Sequence, residues 1–313
     1  MSNKDLYQKI CKEMPGVPLF MQPWWLDTVC QKWDVAIAKK GEQTVGVWAY
    51  PIEKKVSVSL LRNPMLTPYL GPHVFFPKDI KESNLDSFEH ETVTELMKQV
   101  PDADVWHLAL KPGMKQAGLF KNKKLRPLVQ QTFLLDLAES EDALLGNMKE
   151  TTRRNIRQAD KDITVSNSPE SVKELYKFQK ATLTNKGAAP AYTAAYLQKI
   201  MDACLAHDAA KLWVAKKDGE TQAIVWQVWD DNSSYYFMGG QNQESSSSKA
   251  MSLLLWCAIK EAKKKGHKTF DLEGSMDEGV ERFFRSFGGQ RALYIVLHKN
   301  DSLLWKLKKM IFK

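Results

Sequence analysis

Cysteine is scarce in this chain. Cys11, Cys30, Cys204 and Cys257 are the only four in 313 residues, and none has a redox or ligand partner at a recognisable spacing. That excludes a disulfide framework, a zinc finger or an iron–sulfur cluster as the basis of the fold. The six histidines are equally scattered, with no HExxH and no paired spacing, so no metal site is expected. Long hydrophobic runs are missing too. The longest lies near MSLLLWCAI, far short of the roughly 18 residues a membrane-crossing helix needs. The first residues, MSNKDLYQKICKEMPG, lack the apolar region of a secretory signal, so a cytoplasmic protein without an integral membrane segment is expected.

Positive charge, by contrast, is in excess. The net charge of +8 points to an anionic partner: nucleic acid, a nucleotide-bearing substrate or a membrane surface. Hydrophobic content of 43% and charged content of 26% are ordinary for a globular protein, and the length suits about two domains.

The two halves repeat one another. AIAKKGEQTVGVWAY, from Ala36, and WVAKKDGETQAIVWQV, from Trp213, both read as hairpins broken at a Lys-Lys-Gly-Glu-type turn and resumed with Val-Trp. After each comes a strand ending in glycine, around Gly71 and Gly239, then a helix and a strand. The first repeat closes through GMKQAGLFKNKKLRPLVQQTFLLDL and the second through VERFFRSFGGQRALYIV. Self-similarity at a near-constant offset predicts two copies of one α/β (α+β) unit, each a mixed sheet flanked by helices. The expected division is 1–140 and 141–313, with a helix starting near Ser140 and the tail after about residue 298 packing back on the N-terminal unit. Trp48 and Trp226 fall at equivalent positions and read as core, whereas Trp24 and Trp25 are candidates for lining a cleft.

In TFDLEGSMDEGVERFFRSFGG, from Thr269, Phe270 and Leu272 alternate with Asp271 and Glu273 before glycine and serine stop the strand. Val280, Phe283, Phe284 and Phe287 then share one face of a short helix capped by Gly288-Gly289, which predicts a core helix. The two acids stand at a strand end, where α/β sheets commonly place their chemistry.

The unit resembles the GNAT acyltransferase core, and its closing helix, RFFRSFGG, and following strand resemble those of that superfamily. The tandem arrangement is similar to the FemABX-like group, which includes peptidoglycan-bridge aminoacyltransferases. MQPWWLDTVC and the basic stretch MKETTRRNIRQADK support the same resemblance. It implies acyl or aminoacyl transfer to an amine, with acyl-CoA or aminoacyl-tRNA as donor substrate and no tightly bound cofactor. Under it, Asp271 is the first candidate for the base that takes the amine proton and Glu273 the second. Amides near Gly239 and Gly240 polarise the donor carbonyl, and Tyr236 is a leaving-group acid or a cleft-lining residue.

Two departures are visible. The segment from Lys177 to Leu212 has room only for ordinary helices, not the long helical arm of the bridge-forming enzymes. The stretch beginning at Gln241, QNQESSSSKAMSLLLW, carries serines where an acetyl-CoA-binding loop carries glycines. Two readings of that loop stand: a solvated turn, or an anion site formed by its amides and Lys249 at a helix start. The basic helix is read either as a solvated face or as a grip in which Arg153, Arg154 and Arg157 hold phosphate or carboxylate. The basic tail LLWKLKKMIFK packs on its own domain or meets an anionic surface. A different class of reading also stands: a non-catalytic, degenerate GNAT fold that binds a nucleotide-linked ligand or RNA, with oligomeric state open.

Overall fold

The structure is a computed structural model, and it describes residues 2–55, 57–244, 248–274 and 277–302. The centre of the serine run, 245–247, and the basic tail from residue 303 lie outside the described residues.

The chain forms two compact units, residues 2–130 with 293–302, and Gln131–Ala292. The first contains helices α1 (Asn3–Glu13), α2 (Pro23–Val29) and α3 (Glu82–Gln99), and strands β1 (Trp33–Lys40), β2 (Gln43–Pro51), β3 (Glu53–Lys55), β4 (Val58–Arg62), β5 (His73–Val74) and β6 (Val105–Ala109). Strand β7 (Arg126–Asp136) leads into the second unit. There α4 (Glu141–Asn147), α5 (Glu150–Ala159), β8 (Thr164–Asn167), α6 (Val172–Asn185), α7 (Ala194–Ala206), β9 (Ala210–Lys217), β10 (Glu220–Trp229), β11 (Ser233–Gln241), α8 (Ser248–Lys264), β12 (Thr269–Asp271) and α9 (Glu278–Arg285) follow in order. Strand β13 (Gln290–Asn300) ends the described elements.

Both hairpins expected from the repeat are present, β1 with β2 and β9 with β10. In the second, Asp218 and Gly219 adopt φ of +51° and +82°. That left-handed pair lets a two-residue turn match the twist of its strands. Trp48 and Trp226 occupy matching places in β2 and β10 and are both fully buried, so each packs a core. Trp25 is core as well, its indole N–H donating to Thr67 Oγ1 at 3.1 Å, and it lines no cleft. The strand expected around Gly71 shrinks to the two residues of β5. Pro68 and Pro72 flank that stretch, and proline cannot donate to a strand ladder.

Each repeat gives away its closing strand. In the second unit the order is β7-β12-β11-β10-β9-β8, so β12 pairs with β7, the strand that closes the first repeat. In the first unit β6 pairs with β13, which closes the second repeat. The compact units therefore divide at Gln130 and Ala292, whereas the sequence repeats meet near residue 140.

The core of the second unit forms where α8, α9 and α5 cover this sheet. Phe133, Phe270 and Phe287 are nearly or fully buried together with Leu253, Ile156 and Phe284. Burying one such side chain stabilises by roughly 1.5–3 kcal/mol. Ser140 caps α4 by accepting from the Ala143 N–H at 3.1 Å. Asp277 caps α9, accepting from the N–H groups of Gly279 and Val280. Gly288, at φ +80°, passes so close to the Asn147 carbonyl that a Cβ there would lie 2.5 Å from its oxygen. A left-handed, contact-limited position of this kind admits glycine alone.

Candidate active site

Strands β11 and β12 run parallel through Tyr235 and Asp271 and no further. Beyond that point β12 ends and Leu272 bonds to Phe133 on the β7 side, its N–H donating at 3.0 Å. Strand β11 continues to Gln241 paired only with β10 among the described residues. The two strands thus separate, and Tyr236 to Gln241 border the gap. A register shift opposite Trp226 and Gln227 leaves Phe237 as an extra residue, a bulge that re-aims the strand just as it opens.

Helix α6 packs on this edge. Gln179 donates its side-chain amide to the Gly239 carbonyl, and the Tyr192 hydroxyl reaches Gln179 Oε1 at 3.4 Å. An extended residue turns its N–H and C=O to the same side of the strand. The Gly239 N–H therefore faces away from β10, towards the gap. Glycine is required there for space as well, because a Cβ on Gly239 would collide with the Tyr236 phenol oxygen. Gly240 is similarly filled by Phe178 and Leu175 of α6.

The two acids of the sequence motif separate in role. Asp271 is buried, and its Oδ1 accepts from the Thr132 hydroxyl at 2.5 Å and from the Glu273 N–H at 2.8 Å. The Thr132 hydroxyl oxygen also accepts from the Gly274 N–H at 2.8 Å, so this cluster pins the chain after β12 to β7. Glu273 sits at φ +47°, a left-handed conformation that costs on the order of 1–3 kcal/mol for a residue other than glycine. Its Oε1 is buried without a hydrogen-bond partner. Burial, with the neighbouring charge of Asp271 as a second cause, holds the Glu273 carboxyl well above the ordinary carboxylate range. Burial and then Glu273 itself push the Tyr236 phenol up. Tyr236 stacks edge-on against Phe284 with ring centroids 5.1 Å apart, which fixes it from the core side.

Removing the Asp271 charge has a defined consequence. Asp271→Asn keeps an oxygen for both donors but deletes one cause of the raised Glu273 pKa, so any rate limb governed by Glu273 moves to lower pH. Asp271→Ala leaves the Thr132 hydroxyl and Glu273 N–H without their acceptor and costs about 1–3 kcal/mol. A pH–rate profile for the first and thermal melting for the second check both outcomes.

Of the other residues singled out in the sequence, Gln241 ends β11, and Lys249 is exposed in the first turn of α8. Arg153, Arg154 and Arg157 lie on α5. Arg153 donates to the Gly146 carbonyl at 2.9 Å and lies 3.7 Å from Glu150; Arg154 and Arg157 are exposed. Gln179 and Tyr192 carry no motif that marks them, and the α6 register alone brings them to β11. Among the described residues no cluster of His, Cys, Asp and Glu could hold a metal ion, and no helix is long and apolar enough to cross a membrane.

A parallel pair that opens at a bulge and a glycine, followed by a helix, is the central feature of a GNAT unit, and residues 146–285 match the acetyltransferase (GNAT) domain family. The whole chain superposes on the crystal structure of FemX with a TM-score of 0.68 at 15% identity, covering 99% of this chain and 98% of that one. The fold is a FemX-like tandem GNAT fold. A tandem GNAT protein from the clavulanic acid biosynthesis pathway is also similar, with a TM-score of 0.51 at 10% identity over 96% of this chain and 94% of its own. So is L-PGS from Bacillus licheniformis, at 0.53 and 12% over 97% and 94%. No curated protein matches. In tandem GNAT terms, the site just described belongs to the second repeat, at its β11–β12 gap.

Proposed function

We propose that this protein is an acyl or aminoacyl transferase acting on an amine, with its chemistry at the gap between β11 and β12. The observation that carries the reading is Glu273. It is a strained, buried carboxyl with an unpartnered oxygen and a raised pKa, beside a strand that turns a backbone N–H towards the gap. An attacking amine must lose a proton as its nitrogen bonds to the donor carbonyl carbon, and a base with a pKa raised towards neutrality accepts it best. The Gly239 N–H supports the developing oxyanion, held in place by the Gln179 bond to the same residue. When the tetrahedral intermediate collapses, the bond to the leaving thiolate or alkoxide breaks and the Tyr236 hydroxyl is placed to protonate it. Asp271 serves this arrangement by positioning Glu273, which reverses the order of the two acids favoured by the sequence alone.

The donor is an acyl-CoA thioester or an aminoacyl-tRNA ester, and the positive charge of the chain suits either. The FemX-like fold makes the amine of a peptidoglycan precursor the first acceptor to try. The test is to incubate the purified protein with panels of acyl-CoA and aminoacyl-tRNA donors and amine acceptors, then follow donor-dependent product by mass spectrometry. Product that disappears in Glu273→Gln supports the reading. No turnover with any donor, alongside binding of a nucleotide-linked ligand, would instead favour a degenerate, non-catalytic GNAT fold.

A further inference from the structure

The second unit has a groove of about 480 Å³ between α5 and α8, within the size range of small-molecule sites. Its floor is apolar, formed by Leu145, Ile156, Leu253 and Trp256. Leu253, Trp256 and Lys260 follow one another at three- and four-residue steps along α8, so one face of that helix supplies a whole wall. The rim is cationic. Arg153 and Arg157 stand one turn apart on α5, and Lys260 faces them from α8 with its Nζ 5.8 Å from the Trp256 ring.

Arg157 and Lys260 form no ion pair among the described residues, and Asp160 is the single carboxylate on the rim. Glu150, 3.7 Å from Arg153, offsets a second cation from outside the lining, and the three cations against these two acids leave a net positive charge. Arg153 is already oriented by the Gly146 carbonyl, so part of the ordering cost of binding is met in advance. Guanidinium groups one helical turn apart can share the oxygens of one phosphate, and the ammonium group adds a point charge opposite. The floor below them offers nothing to a free inorganic ion, because four apolar side chains gain only from apolar atoms.

We propose that this groove binds a phosphate ester carrying an apolar chain, its phosphate held by Arg153, Arg157 and Lys260 and its chain laid on Ile156, Leu253 and Trp256. Neither Glu273 nor Tyr236 lines the groove, and the proposal stands whatever those residues do.

Calorimetric titration of the full chain with decyl phosphate, below its micelle concentration, tests this directly. Decanol, inorganic phosphate and ADP serve as the other arms. Decyl phosphate is expected to bind at least about 10-fold more tightly than any of the three, a difference of about 1.4 kcal/mol. Its affinity should fall as salt rises, since the rim charges are exposed to screening. Arg157→Glu with Lys260→Glu should weaken decyl phosphate at least about 10-fold and leave decanol binding and the melting temperature unchanged, because both side chains are exposed. Equal affinity of this variant and the native chain for decyl phosphate overturns the proposal. So does ADP or inorganic phosphate binding as tightly as decyl phosphate, which would show that the apolar floor plays no part. The readout is binding alone, so failure here and failure of the transferase assay are separate results.

Discussion

Glu273→Gln is expected to lower turnover by about 10²–10⁴-fold, the range contributed by a well-placed general base. Substrate affinity should change far less, because glutamine keeps the size of the side chain. The same substitution has a stability signature that a bystander would lack. The folded-state pKa of Glu273 is raised, so the native protein holds this proton more tightly than the unfolded chain does. The corresponding stability is fully present below the usual carboxylate value and is lost as pH rises from there through the raised pKa. Glutamine cannot ionise and carries no such slope. The variant should therefore gain melting temperature relative to the native protein as pH rises above the usual carboxylate value, while losing activity. Melting curves at pH 4, 6 and 8 beside the rate measurements check both. A parallel pH dependence in the two proteins, or full activity in the variant, would remove Glu273 from the role of base.

Phe284→Ala should have the largest effect on folding. Its ring is 3% exposed, packs edge-on against Tyr236 and meets Phe283 within the core of the second unit. Truncation loses apolar burial and leaves a cavity, costing about 3–5 kcal/mol. For a unit of this size that lowers the melting temperature by on the order of 10 °C. Calorimetry reads the shift, and a fall of less than about 1 kcal/mol would mean the site collapses around the gap. Activity should also fall in the surviving folded fraction, since Tyr236 loses the ring that fixes it.

What the sequence disclosed, and what it hid, follows from the range of the interactions involved. Hairpins are local, so the turn at Asp218-Gly219 and the tryptophans at 48 and 226 could be read directly. The aromatic helix was legible for the same reason, its spacing putting Phe284 and Phe287 on a buried face. The exchange of β7 and β13 could not be read. Both strands have the alternation of a closing strand, and nothing in either names its neighbour. Strand alternation placed Asp271 and Glu273 together on one face. The strand stops at Asp271 and the backbone turns left-handed at Glu273, so period-two reasoning does not extend to that second acid. The arginines of α5 were visible as a charge cluster. Lys260 and Trp256 were not linked to them, because the packing of α8 on α5 is a tertiary fact.

The exchanged closing strands set a timetable for synthesis. The first unit's β6 pairs with β4 on one edge, but the partner of its other edge lies in residues 296–300, so its sheet stays incomplete until nearly the whole chain has been made. At about 5–20 residues per second, translation from Gln130 to Leu293 takes roughly 10–30 s. Throughout that interval β6 presents an unpaired edge carrying Trp106 and Leu108, the kind of edge that recruits other chains. A nascent first repeat therefore depends on shielding by a chaperone or on speed, and slowing translation between the repeats should show up as aggregation before it shows up as lost activity.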